Sequence, residues 1–249
     1  TATIIEVGAI EITGNKKTKG FIILREIPFK TGDTYPLDVL VKKFEDGRQQ
    51  LMNTSLFHSV TIAAKNFEGA KINVSITVIE RWYLFPIPYF KPVDRNINQW
   101  IVEQKASLSR VNYGAKLLYN NVTGRNDNLR FNIVNGYTKQ LSFGYNRPYI
   151  DKKLKWGARV SFDAGKNKEI NYNTVQNKQV FLKDEDNYTR RFIKAYAEVS
   201  YRKVIKARHS FGIGFNHEMV SDTIALLNPI YFNSGRTSIS FPEINYTFS

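Results

Sequence analysis

The chain has 249 residues and no cysteine, and its 36 Lys and Arg outnumber its 22 Asp and Glu, which gives a formal charge of +14. Without cysteine, a disulfide framework and a thiolate metal site are excluded. No run of 18 apolar residues occurs, so an ordinary membrane-spanning helix is excluded as well. The mean hydropathy of −0.37 fits a soluble protein. It fits equally a barrel that crosses a membrane with strands whose alternate residues face a polar lumen.

Residues 1–81 predict a small α+β domain with the element order β, α, α, β, β. A β-rich run is followed by a short helix over 18–26, with Thr18 as its expected N-cap. A second helix starts at Pro36, and two strands over 56–67 and 71–81 complete the domain. The second helix is expected to bury an apolar stripe formed by Leu37, Leu40, Val41, Phe44 and Leu51. The prediction is therefore two helices packed on a three-stranded sheet.

An open sheet of three strands leaves two edges, and an edge strand can add a strand from another chain through main-chain hydrogen bonds. The segment SVTIAA is the candidate, either as a partner-binding edge or as a purely structural one. Its residues are Ser59, Val60, Thr61, Ile62, Ala63 and Ala64.

Residues 82–249 alternate apolar and polar side chains with a period of two, which predicts eight strands. In the segment LKWGARVSFDA, Trp156 and Val160 fall on one side of an extended chain, and Lys155 and Arg159 fall on the other. RWYLFPIPYF is the first of the eight segments and INYTFS is the last.

Alternation by itself also fits a soluble sandwich, but further features favour a membrane barrel. Aromatic residues recur on the apolar sides toward the strand ends, where interfacial girdles lie. If the first strand runs outward from a periplasmic domain, the outer connections over 92–110, 166–189 and 221–236 are long, and the inner ones are short turns. Long outer loops and short inner turns are typical of bacterial outer-membrane barrels.

Charge on the polar sides is the third feature, since basic residues there face only Asp163 and Glu198. A dry core does not tolerate so many unpaired charges, so we expect a hydrated lumen. The expected lumen residues are Lys116, Arg130, Lys155, Arg159, Lys194, Arg202 and Arg208. An eight-stranded barrel has an interior only just filled by side chains. Seven cationic side chains fit such an interior poorly, so we expect the eight strands to be part of a wider wall, such as half of a sixteen-stranded barrel, completed by further residues or by a second copy of the chain. Closure as an eight-stranded barrel is the alternative.

The run ITGNKKTKGFIILREIPFKTGD, followed by LMNTSLFHSVTI, resembles a POTRA domain. The segments ERWYLFPIPYF, NNVTGRNDNLRF, GYNRPYI and LKWGARVSF are similar to the start of the barrel in the BamA-type outer-membrane assembly family. This family is also called the surface antigen family, and the resemblance is strongest to its Bacteroidetes members. The resemblance implies a periplasmic POTRA domain over 1–81 and a transmembrane β-barrel over 82–249. Family barrels usually have sixteen strands and often several POTRA domains, so this chain departs from the pattern in both respects.

In that family, POTRA domains receive unfolded outer-membrane polypeptides, and the first barrel strand forms a seam that opens. The resemblance places the POTRA edge at SVTIAA and the seam in RWYLFPIPYF. Pro86 and Pro88 each remove an amide donor, which is expected to weaken the pairing of this strand. The same segment is also compatible with a plain linker between two domains. The implied seam residues are Trp82, Tyr83, Leu84, Phe85, Ile87, Tyr89 and Phe90.

No phosphate loop, dinucleotide fingerprint or metal-binding pattern occurs, so we expect no enzyme, no cofactor and no metal. Nucleic-acid binding is not expected, because the basic residues are spread along strands instead of clustered. The chain is predicted to be an assembly and insertion factor of the bacterial outer membrane. The alternative is a polypeptide translocation pore, or a passive porin or anchor with a docking domain.

Four kinds of partner follow from this prediction. They are outer-membrane lipid, unfolded outer-membrane polypeptides, accessory lipoproteins and a second copy of the chain. The basic lumen is expected to attract acidic client segments or lipopolysaccharide phosphates.

Overall fold

The computed structural model describes residues 4–93, 96–103, 105–151, 153–184, 186–204, 207–233 and 235–249. They separate into two compact units. One contains residues 4–83 with Asn120–Asp127, and the other contains Leu84–Tyr119 with Asn128–Ser249. Within these residues, none of the helices combines the length and the hydropathy needed to span a bilayer.

The first unit is a two-layer α+β domain. Its elements are β1 (Ile4–Thr13), α1 (Gly20–Glu26), β2 (Thr34–Pro36), α2 (Leu37–Asn53), β3 (Phe57–Glu68) and β4 (Lys71–Glu80). The sheet order is β2-β1-β4-β3, in which β1 and β4 are parallel and the other neighbours are antiparallel. The short strand β2 adds a fourth strand to the three predicted. The pattern did not reveal it, because it has only three residues and ends at the proline that precedes α2.

The core of this unit lies between the helices and one face of the sheet. Its fully buried side chains include Ile22, Ile23, Leu40, Leu51, Val7, Ile72, Val74, Ile76 and Val78. The predicted stripe of α2 is partly wrong, since Leu37 and Val41 are 49% and 59% exposed. Leu40, Gly47 and Leu51 are the buried residues of this helix, so its inner face is rotated from the predicted one.

Thr18 does not cap α1, which is a second correction. The helix begins at Gly20 after Lys19, and no side chain caps it. Thr18 is instead buried, and its hydroxyl contacts the hydroxyl of Tyr83 at 3.2 Å and accepts a hydrogen bond from the Asn121 amide at 2.9 Å. These two partners are distant in sequence and outcompete a local cap.

The second unit is dominated by one antiparallel sheet. Its elements are β5 (Leu84–Pro92), α3 (Ile97–Val102), β6 (Val111–Asn120), β7 (Asn128–Gly136), β8 (Thr138–Arg147), β9 (Trp156–Asn167), β10 (Glu169–Val175), β11 (Lys178–Lys183), β12 (Arg190–Val204), β13 (Ala207–Val220), α4 (Asp222–Leu227) and β14 (Ser238–Phe248). The order of the large sheet is β14-β13-β12-β9-β8-β7-β6-β5. In the described part of the chain, no pairing joins β5 to β14, so these strands form the two edges. The eight predicted strands are confirmed, and the linker interpretation of FPIPYF is wrong because these residues form β5.

A separate hairpin, β10–β11, lies in what the sequence predicted to be a long connection. Its turn residues Gln176 and Asn177 have φ of 48° and 59°, the left-handed geometry of a tight hairpin. Ile170 of this hairpin packs with Val220 and with Ile224 of α4 in a small buried cluster. The connections at this end of the large sheet therefore have a core of their own.

The two faces of the large sheet differ in polarity, as the alternation predicted. We call the face that carries Trp156 the apolar face and the face that carries Arg159 the polar face. Trp156 lies opposite Tyr201, whereas Arg159 lies opposite Glu198. On the apolar face Phe211 and Ile213 are both 55% exposed, whereas Glu198 on the polar face is half-buried. The hydrophobic side chains are thus more exposed than the polar ones, which is the reverse of the arrangement in a soluble protein. This arrangement fits a sheet whose apolar face meets lipid.

Candidate functional site

The predicted POTRA edge lies on β3, the terminal strand of the first sheet. Ser59 to Ala64 pair with β4 alone, in a register that runs from Ser59↔Ile79 to Ala64↔Val74. Val60 is buried and Ile62 is half-buried, whereas Thr61 and Ala63 are exposed. The structure therefore places all six predicted residues on an edge that is available to another strand, and their role in binding stays a prediction.

A cleft of about 240 Å³ lies beside this edge. It is lined by Val41, Phe44, Glu45, Arg48 and Ile62. Phe44 is fixed by its contact with Phe29, with ring centroids 5.1 Å apart. Because Val41 and Phe44 belong to α2 and Ile62 to β3, a strand added to β3 would place side chains next to an apolar surface with a charged rim.

The charged rim of the cleft is the ion pair between Arg48 and Glu45. Arg48 donates two hydrogen bonds to Glu45, at 2.9 and 2.6 Å, and the Gln49 amide donates a third at 3.0 Å. These bonds stabilise the charged form of the carboxyl and hold the pKa of Glu45 at about 2, below its ordinary value of 4.5.

The predicted seam strand begins two residues later than expected. Trp82 precedes the strand and is 73% exposed. Tyr83 is buried in the first unit, where its hydroxyl donates to the Leu56 carbonyl at 2.9 Å, and this burial raises its pKa. Tyr83 is therefore held by the domain, and the strand proper is Leu84–Pro92.

The turn Asn120–Asp127 also belongs to the first unit. The Lys19 amide donates to the Gly124 carbonyl at 2.9 Å, and the buried Asn121 accepts from the Asn126 amide at 2.9 Å. Gly124 has φ of +80°, and a β-carbon there would lie 2.2 Å from the Lys17 carbonyl oxygen. The glycine of the NVTGRND segment is therefore required by backbone geometry and by close approach.

The backbone groups of the three prolines in β5 face away from β6. The β5–β6 register runs from Leu84↔Tyr119 to Pro92↔Val111 without a shift. At its two ends, the Asn120 amide donates to Tyr83 and the Val93 amide donates to the Arg110 carbonyl. Hydrogen-bonded pairs alternate along an antiparallel ladder, so the odd-numbered residues from Tyr83 to Val93 bond to β6. The even-numbered residues, which include Pro86, Pro88 and Pro92, direct their backbone to the opposite edge.

The expectation that Pro86 and Pro88 weaken the pairing of β5 with β6 is therefore wrong, because neither proline stands at a position that donates a hydrogen bond to β6. The missing amide donors are instead on the open edge of β5, which has no neighbouring strand among the described residues. Of the five residues whose backbone faces that edge, only Leu84 and Phe90 carry an amide hydrogen, while all five carry a carbonyl. The open edge of β5 is rich in acceptors and poor in donors.

The predicted basic lumen residues all lie on the large sheet or its turns, but they do not form one site. The Lys116 ammonium lies 4.3 Å from the centre of the Tyr89 ring. Arg130 and Arg159 line a common pocket of about 270 Å³, with Gly144 between them. Lys116 and the two arginines thus occupy different parts of the polar face.

The remaining basic residues lie elsewhere on the sheet. Lys194 lies opposite Asp163, whereas Arg202 lies directly opposite Arg208. The Lys155 carbonyl, just before β9, accepts a hydrogen bond from the Arg202 amide at 2.7 Å. A basic group of three thus gathers at one end of the sheet.

The polar face also holds acidic residues that the sequence analysis missed. Glu218 pairs with Arg190 at 2.7 Å, and Glu243 lies opposite Gly214 on the same face. Glu243 was missed because β14 begins before the predicted segment INYTFS. Among the described residues, no three His, Asp or Glu side chains gather closely enough to hold a metal ion.

Comparisons with known proteins agree with this architecture. Residues 5–81 match the family model of the POTRA domain, described as the surface antigen variable number repeat. A sequence comparison with curated proteins gives no match.

Two solved structures cover nearly the whole chain. BamA from Haemophilus ducreyi lacking POTRA domains 1–3 is similar at 15% identity and a TM-score of 0.56, over 98% of this chain and 43% of that one. CdiB from Acinetobacter baumannii is similar at 14% identity and a TM-score of 0.47, over 97% of this chain and 39% of that one. The chain thus spans less than half the length of the structures it matches.

Proposed function

Because residues 5–81 form a POTRA domain and the whole chain has the fold of the BamA-type surface antigen family, we propose that it inserts polypeptides into the bacterial outer membrane. In this role the POTRA domain lies in the periplasm and the large sheet lies in the membrane. The partners are outer-membrane lipid and unfolded outer-membrane polypeptides. The chain acts by strand pairing and performs no chemical step, so it is not an enzyme.

The POTRA domain receives the client at β3. A client segment adds to the open edge at Ser59–Ala64 through main-chain hydrogen bonds, which are largely independent of sequence. Alternate side chains of the added strand then lie beside Val41, Phe44 and Ile62. Such binding suits a domain that handles many different clients.

The open edge of β5 is the observation that carries the proposal. A membrane strand must satisfy its backbone groups, so an edge exposed to hydrocarbon is costly unless another strand covers it. Prolines at three of the five edge positions limit the number of bonds that any covering strand makes. The edge therefore favours pairing that is strong enough to template a strand and weak enough to release it.

Deleting residues 5–81 in cells that depend on this protein tests the proposal. Because the tethered domain raises the local concentration of clients, its loss should lower the level of folded outer-membrane proteins at least about tenfold. Unchanged levels would contradict a role in insertion. Stable conductance in planar bilayers that does not respond to client peptide would favour the passive pore instead.

A matched pair of variants tests the POTRA edge. Ala63→Lys places a charge on the exposed side of the edge strand, where it opposes strand addition. Ser75→Lys places the same charge on its cross-strand neighbour in the interior strand β4. Cross-linking of client peptide to the domain should fall with the first variant and persist with the second.

A further inference from the structure

Three basic residues lie in a row across neighbouring strands of the large sheet, on its apolar face. Lys139 of β8 is the direct cross-strand partner of Lys166 of β9, and Lys166 is the direct partner of Arg191 of β12. They share the face of Leu141 and Ile193, each two residues away along its strand. Like charges directly opposite each other on one face destabilise a sheet unless something compensates them.

Within the described residues, none of the three forms an ion pair with a carboxylate. The ammonium of Lys166 lies 4.2 Å from the centre of the Tyr188 ring, a contact that leaves its charge uncompensated. Lys139 and Arg191 are exposed. The row is therefore a local excess of positive charge on a face that is otherwise hydrophobic.

An apolar cleft of about 550 Å³ lies at this row. Its lining combines the three basic residues with Ile133, Leu141, Ala164, Ile193 and Met219. Basic groups next to an apolar cleft match a ligand that has an anionic head and a hydrophobic body. The opposite end of the same face is different, because the rings of Trp156 and Tyr201 contact each other there, tilted by 48° with centroids 4.8 Å apart.

We propose that Lys139, Lys166 and Arg191 bind the phosphate groups of an acylated lipid, whose acyl chains lie along the apolar cleft. This site presupposes the proposed orientation of the chain, which places the row at the outer end of the barrel strands and hence at the headgroups of the outer leaflet. The phosphate compensates three charges for which the described residues supply no carboxylate. The sequence analysis expected such phosphates to bind in the lumen, on the polar face, whereas this site lies on the apolar face of the large sheet.

The test uses the full chain in detergent, titrated with lipid A carrying its phosphates, with the dephosphorylated lipid and with inorganic phosphate, and read by native mass spectrometry. The triple variant Lys139→Gln, Lys166→Gln, Arg191→Gln should bind phosphorylated lipid A at least about tenfold more weakly, since each basic group near an anionic lipid contributes to affinity. The control variant Lys16→Gln, Lys42→Gln, Lys178→Gln removes the same charge from exposed lysines elsewhere and should bind like the parent protein.

Three results would overturn the proposal. They are unchanged affinity of the first triple variant, equal binding of the dephosphorylated lipid, and displacement of the lipid by inorganic phosphate. If the first triple variant misfolds, Lys139→Arg with Lys166→Arg keeps the charges and should retain binding, while rising salt should weaken binding to the parent protein.

Failure of this site is distinguishable from failure of the proposed function. If the proposed lipid site is wrong, deleting residues 5–81 should still lower the level of folded outer-membrane proteins. If the proposed role in insertion is wrong, the parent protein should still bind phosphorylated lipid A more tightly than the triple variant does.

Discussion

At the rim of the cleft beside β3, Glu45 accepts hydrogen bonds from Arg48 and Gln49 that hold its pKa at about 2, below its ordinary value of 4.5. A carboxyl whose pKa is lowered by folding stabilises the folded state above its unfolded pKa. That stabilisation is lost as the pH falls through the folded pKa. The contribution of Glu45 is therefore complete above about pH 4.5 and disappears toward pH 2.

We expect Glu45→Gln to remove this part of the acid sensitivity of the first unit. The variant should be slightly less stable than the parent protein at pH 7, and the difference should vanish near pH 2. Urea titrations followed by the helical circular-dichroism signal across this pH range measure it. Glu68→Gln, which removes an exposed carboxylate outside any ion pair among the described residues, serves as the control. A stability difference that persists unchanged at pH 2 would contradict the assigned pKa.

Single residues were harder to predict than the elements that contain them. A threonine before a helix is a local signal for an N-cap, but the partners of Thr18 are Tyr83 and Asn121, which lie 65 and 103 residues away. Local sequence carries no information about such partners. The same limit explains Tyr83, whose pattern fits the first residues of a strand although its hydroxyl is held inside the POTRA domain.

At the level of elements, the prolines of β5 allow a sharp prediction. Pro86→Ala together with Pro88→Ala adds two amide donors to the open edge and none to the β6 side. Each new hydrogen bond contributes roughly 0.5–1.5 kcal/mol. We expect a client strand to bind this edge more tightly and to leave it more slowly, so that assembly slows even though binding improves.

The matched control is Ile87→Pro, because the Ile87 amide faces β6. This variant should weaken the sheet itself and leave the open edge unchanged. Cross-linking between a cysteine placed in β5 and one in a client peptide measures occupancy, and the cysteine-free sequence gives no background. Equal occupancy in the double alanine variant and the parent protein would show that the prolines do not limit pairing.

Periodicity predicted the eight strands because the apolar and the polar face of the large sheet impose opposite demands on alternate residues. It failed where neither demand applies. The β10–β11 hairpin packs Ile170 into a small cluster outside the large sheet, and it turns at Gln176 and Asn177 without the glycine that usually marks such a turn. The start of β14 was missed because it precedes the predicted segment INYTFS by six residues. The sequence did not indicate which residues of β5 bond to β6 and which face the open edge, because the hydrogen-bond register with β6 decides this. The candidate site depends on that register.

For the whole molecule, both edges of the large sheet carry proline at an edge-facing position, three in β5 and one in β14. At β14, the Ser249 amide donates to Arg208 and the Val220 amide donates to Thr237, so the odd-numbered residues of β14 bond to β13. Pro242 is even-numbered and therefore lies at an edge-facing position, as the prolines of β5 do. Each edge presents backbone carbonyls that need a partner in a membrane.

An eight-stranded sheet with both edges open is unfavourable in lipid or detergent, since each unsatisfied backbone group in hydrocarbon costs several kcal/mol. A polypeptide of these 249 residues alone should therefore cover its edges by association with a second copy. Light scattering of the detergent complex should then give a protein mass of at least twice 28.8 kDa. Cysteines placed at Phe90 and Ile244 should form disulfides between chains. A monomeric mass with the disulfide inside one chain would instead show that β5 and β14 close an eight-stranded barrel.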